Sequence, residues 1–113
     1  HRKYEILGGI YMKILLVCAA GMSTSLVVSK MEKALSEDEK DWVIEAKPAE
    51  RFNDIYKDYD VILLGPQIRF KKKEFEKMAG EYGIPVETID TRDYGLANGE
   101  NILNFAKELY NKK

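Results

Sequence analysis

From Met12 onward the chain alternates short apolar runs with longer stretches in which apolar residues recur every three or four positions. Lys13–Val17 carries Ile14, Leu15, Leu16 and Val17 without a break, and Asp60–Leu64 carries Val61, Ile62, Leu63 and Leu64. Unbroken runs of this length predict strands buried on both faces. Trp42–Lys47 and Pro85–Ile89 are mixed in polarity, which predicts edge strands. After the first strand, Thr24, Val27, Val28, Met31 and Leu35 fall on one helical face, with Ser29, Lys30, Glu32 and Lys33 opposite. A charged turn over Glu37–Asp41 ends that helix. Pro48 suits the first turn of a short helix that uses Phe52, Ile55 and Tyr56. A third helix spans roughly Phe70 to Tyr82, with Phe75, Met78, Ala79 and Tyr82 in register, Gly83 as its C-terminal cap and Pro85 barring continuation. The last helix, about Gly99 to Tyr110, buries Ile102, Phe105, Ala106 and Leu109.

Four strand–helix units with short links predict an α/β fold: a single-domain, open, four-stranded parallel sheet with helices on both faces. With the first and third strands central and the other two at the edges, the strand order is 2-1-3-4. The chain then reverses direction across the sheet between strands one and three, and ligands of such sheets sit at the strands' carboxyl ends beside that point. Cys18 leaves the first strand there, and Gly65–Pro66–Gln67 leaves the third beside it.

Composition narrows the class. The 113 residues fit one domain, and a hydrophobic content of 45%, a charged content of 33% and a net charge of −1 describe an ordinary globular chain. Basic and acidic residues are balanced throughout, which argues against a nucleic-acid binder. No apolar run has the length of a membrane span or the layout of a signal peptide. A lone cysteine makes no internal disulfide, so a cytosolic protein is expected. His1–Tyr11, with Arg2–Lys3 and the Gly8–Gly9 break, is read as an expression leader and residues 12–113 as the domain. The leader's apolar tip, Ile10 and Tyr11, has the character to extend the first strand. Its His1 is the chain's one histidine, so histidine chemistry is not expected.

The candidate chemistry lies in Cys18–Ala19–Ala20–Gly21–Met22–Ser23–Thr24–Ser25. A helix starting near Ser23 would aim its free N–H groups and positive dipole end at a point beside the sulfur. Such a terminus favours an anion and lowers the pKa of a thiol placed there. A lone cysteine is often a small buried hydrophobe, and Ser23, Thr24 and Ser25 have an ordinary use as helix caps. The position at a strand end, ahead of glycine, hydroxyls and a helix, favours instead a nucleophile in a phosphate cradle built from Ala19, Ala20, Gly21, Met22, Ser23, Thr24 and Ser25.

Low-molecular-weight tyrosine phosphatases and arsenate reductases also carry a cysteine loop at a strand–helix junction, with the signature Cys, five residues, Arg, then Ser or Thr. Counting five residues from Cys18 puts Thr24 at the arginine position and Ser25 after it. The missing guanidinium would have clamped the phosphoryl group and stabilised transition-state charge. Hydrolysis also needs an acid and a placed water. Asp90 and Asp93 follow the fourth strand and are the candidates, with capping as their alternative role. A site that takes phosphate on sulfur and gives it poorly to water is a phosphoryl relay. A flavodoxin-like module binding FMN at the same strand ends is a further alternative, although its loop ordinarily lacks a leading cysteine.

The Cys18–Ser25 loop, Leu64–Gly65–Pro66–Gln67–Ile68–Arg69 after the third strand and Asp93–Tyr94–Gly95 before the last helix together resemble the IIB component of the phosphoenolpyruvate-dependent sugar phosphotransferase system, lactose/cellobiose/chitobiose type. The resemblance implies a fold like that of the low-molecular-weight tyrosine phosphatases. It implies that Cys18 accepts a phosphoryl group from a phosphohistidine on a IIA protein and passes it to a sugar carried by the membrane IIC protein. No cofactor, no metal and a monomer are expected. Transfer between proteins calls for an exposed sulfur, with the loop rim as docking surface and Met22 facing the partner or packing under the loop. Gln67, Arg69 and Tyr94 are candidates for the rim. Arg69 with Lys71–Lys73 also reads as a solvated helix start, and Tyr94 as filler of a loop gap.

Overall fold

The computed structural model describes residues 4–6, 9–19 and 21–112. A small antiparallel hairpin, β1 (Tyr4–Ile6) with β2 (Gly9–Tyr11), precedes the domain. Met12 separates β2 from β3 (Lys13–Cys18), so Ile10 and Tyr11 do not extend the first strand of the main sheet. That sheet is completed by β4 (Val43–Pro48), β5 (Val61–Leu64) and β6 (Val86–Thr88). All its pairings are parallel and the order is β4-β3-β5-β6, the expected 2-1-3-4.

Strand alternation divides the apolar runs between two cores. Ile14, Leu16, Val61 and Leu63 face α1 (Gly21–Lys33) and α5 (Gly99–Asn111), meeting Val27, Met31, Ile102, Leu103 and Ala106. Leu15, Val17, Ile62 and Leu64 face the other way, onto α2 (Phe52–Ile55) and α3 (Lys72–Gly80) through Phe52, Phe75 and Ala79. Each of these fully buried aliphatic side chains contributes about 1.5–3 kcal/mol by leaving water. In the second core the Phe52 ring stacks on both Tyr56 and Phe75, with centroids 4.9 and 3.7 Å away.

Several boundaries differ from the expected ones. The helix after β5 begins at Lys72, not Phe70, because Pro66–Lys71 forms a 3-10 segment that leaves the Phe70 ring 75% exposed. It ends at Gly80, so Tyr82 lies beyond it. Gly83 closes the turn at φ +72°, and the Ile84 N–H reaches the Ala79 carbonyl at 3.1 Å. The segment after Pro48 is one short helix flanked by single 3-10 turns. An additional helix, α4 (Thr91–Gly95), stands where only a turn was expected.

Gly99 fixes how the first and last helices cross. A Cβ on it would lie 2.3 to 2.5 Å from the Lys30 carbonyl group and the Met31 nitrogen. The backbones of α1 and α5 therefore touch at a point where only glycine fits, and α1 is the helix that faces Cys18.

Candidate functional site

The parallel register brings the strand ends level. Cys18 pairs with Pro48, Val17 with Leu64, and Leu64 with Thr88. β3 ends at Cys18 and α1 begins at Gly21, so only Ala19 and Ala20 intervene. The unsatisfied N–H groups of the first turn of α1 therefore open beside the residue that ends the central strand. Helix dipole and sulfur are adjacent, as a phosphate cradle requires.

Cys18 is only 1% exposed. Its Sγ lies 3.2 Å from Thr24 Oγ1 and 3.9 Å from the carbonyl oxygen of Lys47 on β4. This corrects the expectation of an exposed sulfur: the thiol turns to polar partners on the inner side of α1 and at the edge strand. Thr24 itself is completely buried, on the same helix face as Val27 and Met31. Residues Ala19 and Ser25 of the loop are exposed. Ala20 lies outside the described residues, as do the side chains of Gly21, Met22 and Ser23, so the orientation expected of Met22 falls there too.

Gln67 and Tyr94 converge on the end of β5. A Cβ on Gly65 would sit 3.0 Å from Gln67 Oε1 and 3.7 Å from the Tyr94 ring. The Gly65 N–H is held by the Val17 carbonyl at 2.9 Å, next to Cys18 in the chain. Tyr94 is buried in the core that α1 and α5 share, so it packs beside the site and also fills the loop gap. Arg69 is exposed on the 3-10 segment, with no side-chain bond to another described residue. Two of its lysine neighbours are paired, Lys71 with Glu74 at 3.6 Å and Lys72 with Glu87 at 2.7 Å.

The two aspartates are engaged in helix ends. Asp90 Oδ2 accepts from the backbone N–H groups of Arg92 and Asp93, at 3.0 and 3.2 Å, and so caps α4. Asp93 Oδ1 accepts from the Asn101 side-chain amide at 3.1 Å. Neither approaches the sulfur through these bonds. What sequence reasoning missed is the Thr24–Cys18 contact and the Lys47 carbonyl. The available signal was a hydroxyl on an otherwise apolar helix face, one residue type out of place.

Exposed apolar residues follow three of the four strand ends: Leu26 on α1, Phe70 after β5 and Leu96 after α4. Each lies on a segment that leaves the carboxyl end of the sheet. None of the described helices is long and apolar enough to cross a membrane.

Residues 13–105 match the family profile described as "PTS system, Lactose/Cellobiose specific IIB subunit". The chain is 45% identical over 103 residues to the "PTS system galactose-specific EIIB component" of Lactococcus lactis subsp. cremoris, covering 87% of this chain and 95% of that protein. It is 44% identical over 103 residues to the cellobiose-specific EIIB component of Lactococcus lactis subsp. lactis, with the same coverage. Among solved structures, the cellobiose-specific phosphotransferase IIB component from Borrelia burgdorferi superposes with a TM-score of 0.74 at 45% identity, covering 91% of this chain and 94% of that one. The chain also aligns at 28% identity with a "PTS system lactose-specific EIICB component" of Staphylococcus epidermidis, 87% of this chain matching 17% of that longer protein. The loop at Cys18, the 2-1-3-4 sheet and these likenesses agree, and the chain belongs to the lactose/cellobiose-specific IIB family of the sugar phosphotransferase system.

Proposed function

We propose that the protein is a phosphoryl relay in sugar uptake, with Cys18 as nucleophile and transient phosphocysteine. The Cys18 thiolate attacks the phosphorus of a phosphohistidine on a IIA protein. The S–P bond forms, the N–P bond breaks, and the imidazole nitrogen leaves with the electron pair. In the second step a hydroxyl oxygen of a sugar bound to the membrane IIC protein attacks the same phosphorus. The thiolate leaves and the hydroxyl proton passes to a base or to water. N–H groups of the Ala19–Ser25 segment hold the phosphoryl oxygens in both steps. The sugar belongs to the cellobiose, lactose and chitobiose class.

The observation that carries this reading is the make-up of the loop. The cysteine stands at a helix N-terminus, and the position an arginine holds in the related phosphatases is taken by a buried, uncharged Thr24. Asp90 and Asp93, the candidate acids for hydrolysis, are occupied as a cap and an amide acceptor. Both features favour transfer to a partner over transfer to water.

Because the sulfur is buried, transfer includes a rotation of the Cys18 side chain or a shift of its loop that presents it to the donor. Leu26, Phe70 and Leu96, with the exposed Gln67 and Arg69, supply the rim on which IIA and IIC dock in turn. The protein works as a cytoplasmic monomer, and residues 12–113 are its phosphocarrier domain.

Cys18→Ser tests the reading. A serine hydroxyl is far less ionised at neutral pH and is a poorer nucleophile. The variant is expected to keep the far-UV circular dichroism of the parent and to lose phosphoryl acceptance from phosphorylated IIA. Full acceptance by the serine protein would place the nucleophile elsewhere.

A further inference from the structure

We infer that Thr24 is a positioning residue for Cys18, its side-chain hydroxyl donating a hydrogen bond to the sulfur in the thiolate form. The inference rests on the relay reading only for its consequence in transfer; the contact itself is structural. Sγ and Oγ1 are 3.2 Å apart, and the two side chains are 1% and 0% exposed. Bulk water does not reach the pair, so whatever solvates the sulfur in this position belongs to the protein.

The second contact of the sulfur gives the hydroxyl its role. The Lys47 carbonyl, 3.9 Å from Sγ, can only accept. While the thiol keeps its proton it donates to one oxygen or the other. Once the proton has left, the thiolate is a pure acceptor and the Lys47 carbonyl opposes it. Thr24 must then be the donor in the pair, and a hydrogen bond to an ionised partner is roughly twice as strong as a neutral one. Thr24 thus favours the charged form and fixes where it sits, while the carbonyl urges the anion away from the edge strand and towards the N–H groups of α1. Thr24 stands where the related phosphatases place arginine, and it acts on the nucleophile in place of the phosphoryl group.

The chain has a single cysteine, so alkylation by iodoacetamide reports on Cys18 alone. The rate is measured from pH 5 to pH 10, as an order-of-magnitude span covering the thiol range, in the parent, Thr24→Val and Thr24→Ser. Thr24→Val keeps the shape and loses the donor. Its rate profile is expected to move to higher pH, with the rate at neutral pH falling about tenfold and the alkaline plateau retained. Thr24→Ser is expected to restore the parent profile. A purely structural role would change the plateau through loop opening and leave the midpoint in place, and superimposable midpoints for parent and Thr24→Val would overturn the inference. Should the valine variant not fold, Thr24→Ala compared with Thr24→Ser reads the same difference. Phosphoryl acceptance from phosphorylated IIA is followed in parallel. A shifted alkylation profile in a protein that never accepts phosphate would keep Thr24 and remove the relay.

Discussion

Cys18, Thr24 and the Lys47 carbonyl form the smallest unit of the site, since their contacts set where the sulfur is. Asp90 and Asp93 mark the boundary of that unit. If they serve only helix ends, Asp93→Asn should leave the rate at which the phosphorylated protein loses phosphate to water within about twofold of the parent. Asp90→Ala should cost about 1 kcal/mol of stability as a lost cap. Hydrolysis of the isolated phosphoprotein followed by 31P NMR checks the first, and urea unfolding the second. A large fall in hydrolysis on replacing either aspartate would assign it as an acid and revive the phosphatase reading. The placement of Cys18, at the end of a central strand and just ahead of a helix, was legible from sequence because an unbroken apolar run stops there and glycine and hydroxyls follow. Its burial was not legible. That depends on which way one side chain turns, and Thr24 shows the direction only once α1 is packed against the sheet.

Among the elements, α1 matters most to the proposed relay because its first turn would supply the cradle, and its placement is set by the crossing with α5 at Gly99. A methyl group there meets the backbone at Lys30 and Met31, which cannot yield as a side-chain tip would. Gly99→Ala is therefore expected to destabilise by roughly 2–3 kcal/mol, at the upper end of overpacking costs, with a lower urea midpoint and slower phosphoryl acceptance as α1 shifts. An unchanged midpoint would mean that the helices slide apart freely. Both long helices were legible from their apolar spacing. The five-residue α4 was not, since it is too short to show a helical period. The 3-10 segment Pro66–Lys71 was also missed, because Phe70 mimics the first apolar position of the helix that follows while its ring faces solvent.

Across the whole molecule the two ends of the sheet differ in character. The strand order was legible because the two central strands are apolar on both faces and the edge strands are mixed, a difference that burial alone imposes. The site end carries the loops, and the opposite end is tied by polar contacts that sequence reading did not reveal. There the Lys13 N–H donates to Asp60 Oδ2 at 2.9 Å, the Lys13 ammonium lies 5.0 Å from the Tyr59 ring centre, and the Tyr59 hydroxyl donates to Glu45. Burial, and then the Glu45 carboxylate that accepts its hydrogen bond, push the Tyr59 phenol well above its ordinary value of 10.0. The folded protein therefore keeps this proton at a pH where the unfolded chain has lost it. The stabilisation is complete below about pH 10 and is lost as pH rises beyond it. Thermal midpoints measured from pH 8 to pH 11, spanning roughly the onset of phenol ionisation, should fall less steeply for Tyr59→Phe than for the parent. Parallel slopes would mean that Tyr59 titrates alike in both states.

Whether Cys18 carries the phosphoryl group is read out by intact mass followed by peptide mapping. The protein is incubated with phosphoenolpyruvate, the general phosphotransferase proteins and a matching IIA protein, and the adduct is located at neutral pH. One added phosphoryl group is expected on the peptide that contains Cys18, stable in buffer and discharged when a IIC protein and its sugar are supplied. No adduct with several IIA proteins, together with turnover of an aryl phosphate, would contradict it.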